Sequence, residues 1–385
     1  MKTIKIGIYS SIIFTMLFLM SCSSDDATES NQFTFPENQT IFLDSQEKLD
    51  AFGAIGHTVF NETIVIGTAN QLNNSITNLN ALSTLTSAKG LTIHYNNQLT
   101  SLQGISNLQT IQAGGLIIEE NSSLASLIGL NGLQTVGGST IIIMNGIMAN
   151  LDGLNNLSSI SGDLSIGENP SLENIEGLIG LETIGGTAFV SMNGIIGNLN
   201  GLNNLSSIGG SAILEMNGIM ANLDGLNNLS SIGGDLIIEE NPNLSNYEGL
   251  IGLQSIGGDA YIGMNGIISM NGITANLEGL NNLSSIGGNL TIYENPNLVN
   301  VSGLIGLETI GGTAILGMNG FMESLDGLNS ITSLGGDIII EDNPLLTDFC
   351  GIRPVMVSDG FTGTYTVNNN AFNPSFEEII ALSCD

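Results

Sequence analysis

Two histidines, three cysteines and 36 acidic side chains are the groups in this 385-residue chain whose types permit chemistry, and only five basic residues accompany them. His57 and His94 lie far apart, with neither a Cys beside them nor a second His at H-x-x-x-H spacing. Zinc ligation or a nucleophile-base pair therefore has no local support. Carboxylates are abundant, and the adjacent pairs Glu119-Glu120, Glu239-Glu240 and Glu341-Asp342 offer oxygens for calcium or for the acid and base of a glycan-cleaving site. There is no EF-hand loop and no calcium-binding nonapeptide array, however. The acids also recur in a regular pattern, which suits a solvated face better than a catalytic cleft. Glycine pairs are frequent, but none stands in a G-x-x-x-x-G-K-[ST] or G-x-G-x-x-G context that would cradle phosphate. On these grounds the chain is read as no enzyme, with no catalytic residues, no metal and no cofactor.

Composition narrows the class further. A formal net charge of -31 repels phosphate backbones and anionic membrane surfaces, so nucleic-acid binding is excluded. Charged residues make up 11% of the chain, against about 25% in ordinary domains. The hydrophobic fraction of 42% supplies ample side chain to bury, which argues against disorder. Aromatics are only 5%, Trp is absent, and Gly numbers 51. An aliphatic, Gly-rich, acidic chain of this length points to internal repeats.

The repeat is legible in the glycine pairs. Gly185-Gly186, Gly209-Gly210, Gly233-Gly234 and Gly257-Gly258 recur every 24 residues, as do Gly287-Gly288, Gly311-Gly312 and Gly335-Gly336. Between the two sets one interval is 30, and the extra six are a tandem duplication, Met264-Asn265-Gly266-Ile267 followed by Met270-Asn271-Gly272-Ile273. Within one unit, Leu164 and Ile166 alternate with Ser165, the period of a strand with one buried face. Asn169-Pro170 turns the chain. Leu172, Ile175, Leu178, Leu181 and Ile184 follow at steps of three, which suits short extended or 3₁₀ segments. One unit cannot bury this apolar set alone, so successive units must stack. The expected fold is mainly β, a right-handed parallel β-solenoid of about twelve or thirteen 24-residue, leucine-rich-type coils.

One Asn recurs in nearly every coil: Asn96, Asn121, Asn145, Asn169, Asn193, Asn217, Asn241, Asn271, Asn295, Asn319 and Asn343. Buried backbone groups at a recurring turn need recurring partners, so these are read as an inward structural ladder. The second strand position faces outward and carries Ile117, Ile141, Phe189, Ile213, Ile237, Tyr261, Ile315 and Ile339, interrupted by Ser165 and Thr291. Beside the Asn runs a further column containing Glu120, Met144, Glu168, Met192, Met216, Glu240, Met264, Glu294, Met318 and Asp342. An apolar outer stripe with adaptable Met side chains is a candidate binding or self-association face. Ile141, Phe189, Ile213, Ile237, Tyr261, Ile315, Met192 and Met216 are its candidate residues. The alternative, a stripe covered by loops or a further layer, stays open at this point. A regular outward Thr ladder, as ice binding would require, is missing from this column, where only Thr291 appears.

The N-terminus resembles a bacterial lipoprotein. Lys2 and Lys5 precede an apolar run, and Leu19-Met20-Ser21-Cys22 resembles a lipobox, which implies a cleaved signal at 1-21 and lipidation of Cys22. Ser23, Ser24, Asp25 and Asp26 are similar to the export signal of surface lipoproteins in the Bacteroidetes. Outer-membrane localisation at the cell surface, with membrane contact through Cys22 alone, is implied. The mature chain then keeps three basic residues against 36 acids, a net of -33, a charge suited to salty surroundings. With Cys22 assigned to lipid, Cys350 and Cys384 are left as an even pair in an exported protein and are expected to form a disulfide.

The unit L-x-x-I-x-G-x-L-x-I-x-x-N-x-x-L resembles the receptor L domain, the leucine-rich β-helical module of insulin- and growth-factor-type receptors, and is similar to leucine-rich repeats more broadly. The resemblance covers about residues 41-385. It implies a lipidated tether over 22-40, an N-terminal cap over 41-62 with a short helix in Ser45-Gly53, a solenoid over 63-349, and a C-terminal cap over 350-385 closed by the disulfide. Cys-rich modules, a kinase and a transmembrane helix, which the receptors carry, are missing from the sequence. The implied role is non-catalytic recognition or adhesion toward an extracellular protein or glycan, with self-association as a further option. The alternatives are a β-helix polysaccharide-degrading enzyme and a structural surface-layer component.

Overall fold

The computed structural model describes residues 33-35, 38-68, 75-265 and 276-384, and the fold set out below is that of the unit Phe35–Asp385. Cys22 lies outside the described residues. The chain forms a parallel β-solenoid of about 13 coils, mainly β with few helices. From Thr140 onward each coil contributes one four-residue strand, such as Ala212–Glu215 or Leu236–Glu239, and one two-residue strand, such as Ser207–Ile208 or Ser231–Ile232. Like pairs with like in the next coil: Ala188 with Ala212, Ile213 with Ile237 and Ile232 with Ile256. Constant spacing produces this register, because each coil advances the chain by one strand and returns every column to the same place. Earlier coils fuse the two segments into longer strands, Val59–Ile66, Ser87–His94 and Thr110–Glu119, with register shifts between Phe60 and Thr63 and between Ala88 and Gly90.

Positions one and three of each short strand are buried and position two is half-exposed, as the alternation of a strand requires. The core reveals two kinds of coil. The first kind opens its strand with Leu164, Leu236, Leu290 or Ile338 and buries Leu172, Leu244, Leu298 or Leu346 after the turn. The second opens with Thr140, Ala188, Ala212, Ala260 or Ala314, and Met148, Ile196, Met220 or Met322 fills the interior instead. The strand residue and the turn residue therefore change together from one kind of coil to the other.

The kinds also differ along the back. The first makes a 3₁₀ turn, as at Glu176–Leu178, Glu248–Leu250 and Ser302–Leu304. The second places Gly153, Gly201, Gly225, Gly279 and Gly327 at φ between 113 and 121°, a region closed to other residues. The corner glycines have a different cause. A Cβ on Gly233, Gly257 or Gly311 would lie 2.0 to 2.2 Å from a carbonyl oxygen of the preceding coil, so backbone-to-backbone approach requires them.

Two polar ladders hold the coils in register. In the inner one, each Asn accepts the previous Asn's backbone N-H on its Oδ1: Asn121 N donates to Asn145 Oδ1 at 3.1 Å and Asn217 N to Asn241 Oδ1 at 3.1 Å. Each Nδ2 reaches back to a strand carbonyl of the preceding coil, as Asn145 does to Ile118 O at 2.9 Å. The sequence reading placed one rung at Asn271, which lies outside the described residues. The structure corrects it to Asn265, which accepts from Asn241 N at 3.1 Å and donates from its own N-H to Asn295 Oδ1 at 3.3 Å. Both copies of the duplicated Met-Asn-Gly-Ile motif carry an Asn, so spacing alone could not choose. The earlier copy keeps the 24-residue step from Asn241. At its end the ladder continues through Asn370, whose N-H donates to Asn373 Oδ1 at 3.0 Å.

The second ladder follows the glycine pairs. Asp163 Oδ1 accepts from Thr187 N at 2.8 Å, Asp235 Oδ1 from Asp259 N at 2.8 Å and Asp259 Oδ1 from Asn289 N at 2.7 Å. Part of the chain's acidity is thereby structural.

Both ends are capped. The helix Gln46–Gly53 starts at Ser45, whose side chain accepts from Lys48 N, and it buries Leu49 and Phe52 against the first coils. At the other end the strand Tyr365–Asn368 pairs with Ile338–Glu341. The helices Arg353–Val357 and Phe376–Ile380, the latter with a Ser375/Glu378 capping box, close the stack. Cys350 and Cys384 are joined by a disulfide across 34 residues.

Candidate functional site

The outer face of the four-residue strands carries the candidate residues. Ile141, Phe189, Ile213, Ile237, Tyr261 and Ile315 form one column and are all half-exposed, each shielded on two sides by its neighbours in the stack. Among the described residues no second layer covers them. The apolar column is therefore a surface stripe.

Beside it, the residue before each ladder Asn is left-handed throughout. Glu120, Met144, Glu168, Met192, Met216, Glu240, Met264, Glu294, Met318 and Asp342 all have φ between 51 and 58°. That conformation costs about 1-2 kcal/mol for an ordinary side chain, and the ladder bonds of the following Asn hold it in place. The corner throws these side chains outward: Met192 and Met216 are 42% and 38% exposed, and Ile195 and Ile219, three residues on, are 40% and 46% exposed. Coils with Met at the corner thus present an exposed apolar pair, Met144 with Ile147, Met192 with Ile195, Met216 with Ile219 and Met318 with Phe321, whereas those with Glu present Glu168 with Ser171 or Glu240 with Asn243. Two Met coils follow one another only at Met192 and Met216, which makes that patch the widest of its kind among the described coils.

The fourth strand position, also outward, was not singled out from the sequence. It runs Gly167, Ser191, Glu215, Glu239, Gly263 through the middle coils, with Ser191 paired to Glu215 and Glu215 to Glu239. Two carboxyls thereby stand side by side at the roughly 4.8 Å strand spacing of a sheet. Burial pushes both above the ordinary carboxylate range. Ser191 is fully buried, its hydroxyl has no partner in hydrogen-bonding geometry, and it lies against Glu215, whose proton affinity it lowers. The Tyr261 ring occupies the space above Gly263, where a Cβ would come 2.6 Å from the tyrosine hydroxyl. Burial first, then the charges of Glu239, Glu294 and Glu240, push the Tyr261 hydroxyl up to about 12. Tyr293 is laid over Gly317 in the same way.

The carboxyl pair gives a pH prediction. Its native proton affinity is raised, so its contribution to stability is complete below the unfolded glutamate range, about pH 4, and is lost as pH rises through the native values. Replacing both groups by Gln should raise the melting temperature relative to the native chain at about pH 7, with the difference vanishing near pH 4. A difference that does not change with pH would count against the raised proton affinity of the pair.

The remaining chemistry-bearing groups lie elsewhere. His94 faces Glu119 at 3.8 Å on neighbouring strands, and His57 packs on the rings of Phe52 and Phe60. Lys48 is paired with Asp44 at 2.7 Å and Lys89 with Glu62 at 2.9 Å, both in the first coils. Among the described residues no group of three His, Cys, Asp or Glu is arranged to hold a metal ion. A second concavity of about 620 Å³ follows the two-residue strands, where Ser207, Ser231, Ser255 and Ser285 stand over the corner glycines. It is neutral and has no titratable group. Comparison of this chain with protein-family models and with curated proteins gives no match.

Proposed function

We propose that this chain is a non-catalytic binding or adhesion lipoprotein of the cell surface, anchored through lipid on Cys22, whose solenoid presents a recognition face to an extracellular protein or glycan. The observation that carries this reading is the outer strand face. A half-exposed apolar column runs beside exposed Met/Ile corners over many coils, where a purely solvated sheet would be polar. Met side chains adapt to varied partners, and aromatic residues such as Phe189 and Tyr261 are typical anchors of interfaces. Anchoring and export rest on the lipobox-like Leu19-Met20-Ser21-Cys22. Glycan and protein arrays probed with residues 23-385 test the reading: saturable binding to a defined set of glycans or proteins is expected, and uniform background across both arrays would refute it.

One observation favours a second reading, a glycan-degrading enzyme: Glu215 and Glu239 are neighbouring carboxyls at a column position where most coils have none. Burial raises the proton affinity of both together, whereas an acid and a base need their proton affinities pushed apart, and this weighs against it. Retaining glycosidases hold the two carboxyls about 5-5.5 Å apart and inverting ones farther, so that a scissile bond fits between them. Release of reducing ends from polysaccharides by the purified chain, lost in Glu239→Gln, would favour the enzyme.

A further inference from the structure

The middle of the outer face departs from the repeat in one place, and four features coincide there. Glu215 and Glu239 stand together in the fourth column. On the same face Phe189 precedes them by one coil and Tyr261 follows them by one, the Tyr261 ring lying over Gly263 in the carboxyls' own column. Ser191 adds a fully buried hydroxyl without a partner in hydrogen-bonding geometry, lying against Glu215. Glu240 and Glu294 add negative charge around Tyr261. Lys48 and Lys89 are bound to acids in the first coils, and Arg353 belongs to the C-terminal cap. The charge gathered on this face therefore has no counter-charge from the described part of the chain.

Aromatic rings attract a cation through their negative faces, and carboxylates supply directional acceptors for ammonium or guanidinium hydrogens. Anionic and phosphate-bearing ligands are repelled by the same groups. A neutral ligand would leave the carboxyl pair either protonated or unpaired. We infer that this patch binds a basic side chain, the ammonium of Lys or the guanidinium of Arg, carried by an extracellular partner polypeptide, with Glu215 and Glu239 as counter-charges and Phe189 and Tyr261 as walls. The inference rests on the binding-face reading and names the chemistry of the partner. Burial raises the proton affinity of both carboxyls, so binding of a cation to the ionised pair strengthens as pH rises.

The chain has six Tyr and no Trp, and only Tyr261 lines the patch, so a tyrosine fluorescence change on binding is assigned to the patch by its loss in Tyr261→Phe. The probes are capped Gly-Lys-Gly and Gly-Arg-Gly peptides, with capped Gly-Nε-acetyllysine-Gly as the uncharged control, titrated into the purified chain at fixed ionic strength. Saturable binding of the two charged peptides and none of the acetylated one is expected. Glu215→Gln with Glu239→Gln should weaken it at least tenfold. Glu182→Gln with Glu308→Gln, two exposed acids away from the patch, removes the same charge and should leave it unchanged. Equal weakening by the two pairs would reduce the effect to general acidity and overturn the inference, as would full binding in the patch variant. An array partner lost on changing Phe189 and Tyr261 but indifferent to Glu215→Gln/Glu239→Gln would leave the recognition face standing and remove the cation from it. An array without partners, together with peptide binding that the patch variant abolishes, would do the reverse.

Discussion

Asn241→Leu is expected to lower the stability of the solenoid by about 2-4 kcal/mol, the range for stranding buried backbone groups. The Asn241 side chain accepts from Asn217 N at 3.1 Å and donates to Leu214 O and Glu239 O, each at 2.9 Å. Leucine has the same branched heavy-atom skeleton, so the change removes these bonds without opening a cavity. The Asn217 amide is left facing an apolar group inside the stack, with no water to replace the lost acceptor. Asn241→Asp keeps the acceptor but sets a carboxylate against two carbonyl oxygens, and it should destabilise the fold at least as much. Nearest-neighbour coupling in a solenoid confines the damage. Hydrogen exchange should quicken in the coils around Leu214 to Asn265 and stay slow near Asn121. Urea unfolding checks the magnitude, and exchange mapping checks the locality. A loss spread evenly over all coils would contradict a rung-by-rung ladder.

Removal of the Cys350–Cys384 disulfide is expected to be comparably severe. Closing 34 residues restricts the unfolded chain by about 3-4 kcal/mol in the chain-entropy account. The bond ties the end of the chain to the 3₁₀ turn Cys350–Ile352, so its loss frees the helix Phe376–Ile380. That helix buries Ile379, and the strand Tyr365–Asn368 before it covers the last four-residue strand of the ladder. Cys350→Ser with Cys384→Ser should therefore expose an open sheet edge, with faster proteolysis after Arg353 and a tendency to self-associate. Limited proteolysis with and without reductant measures the first effect and light scattering the second. Unchanged cleavage in the reduced protein would show that packing alone holds the cap.

Much of this fold was legible in the sequence because the repeat makes each physical requirement recur. The alternation at Leu164 to Ile166, the turn at Asn169-Pro170, the triplet steps through Ile184 and the glycine pairs each correspond to a feature of the coil. The Asn ladder could be read because one buried amide per coil is the economical way to satisfy the same backbone groups every time. Other features were not legible, for particular reasons. The left-handed corner is occupied by Met and Glu, which do not favour positive φ, so residue type gave no signal and only the ladder bond of the next Asn explains it. The two coil kinds appear as a paired change of strand residue and turn residue, Ala212 with Met220 against Leu236 with Leu244, and each substitution alone looks conservative. The acid after the glycine pair looked like a solvated charge, yet Asp235 accepts a backbone N-H of the next coil. The Glu215/Glu239 pair was hidden because its members are 24 residues apart and adjacent only through the register, whereas Glu239-Glu240 drew notice merely by being consecutive. In the strand, consecutive residues point to opposite faces or turn the corner. Sequence adjacency was the wrong measure of proximity for this site.

The claim that the outer strand face is a recognition surface is tested most directly by a double variant, Phe189→Ser with Tyr261→Ser. Both residues are half-exposed on the outer column and contribute to stability only through cross-strand packing, worth up to about 1 kcal/mol each. Binding to a partner identified on the arrays and the thermal unfolding midpoint should be measured on the same preparations. Binding at least tenfold weaker, with the midpoint lowered by no more than a few degrees, is the result expected of a binding face. Undiminished binding, or a loss of binding matched by loss of the folded state, would contradict it.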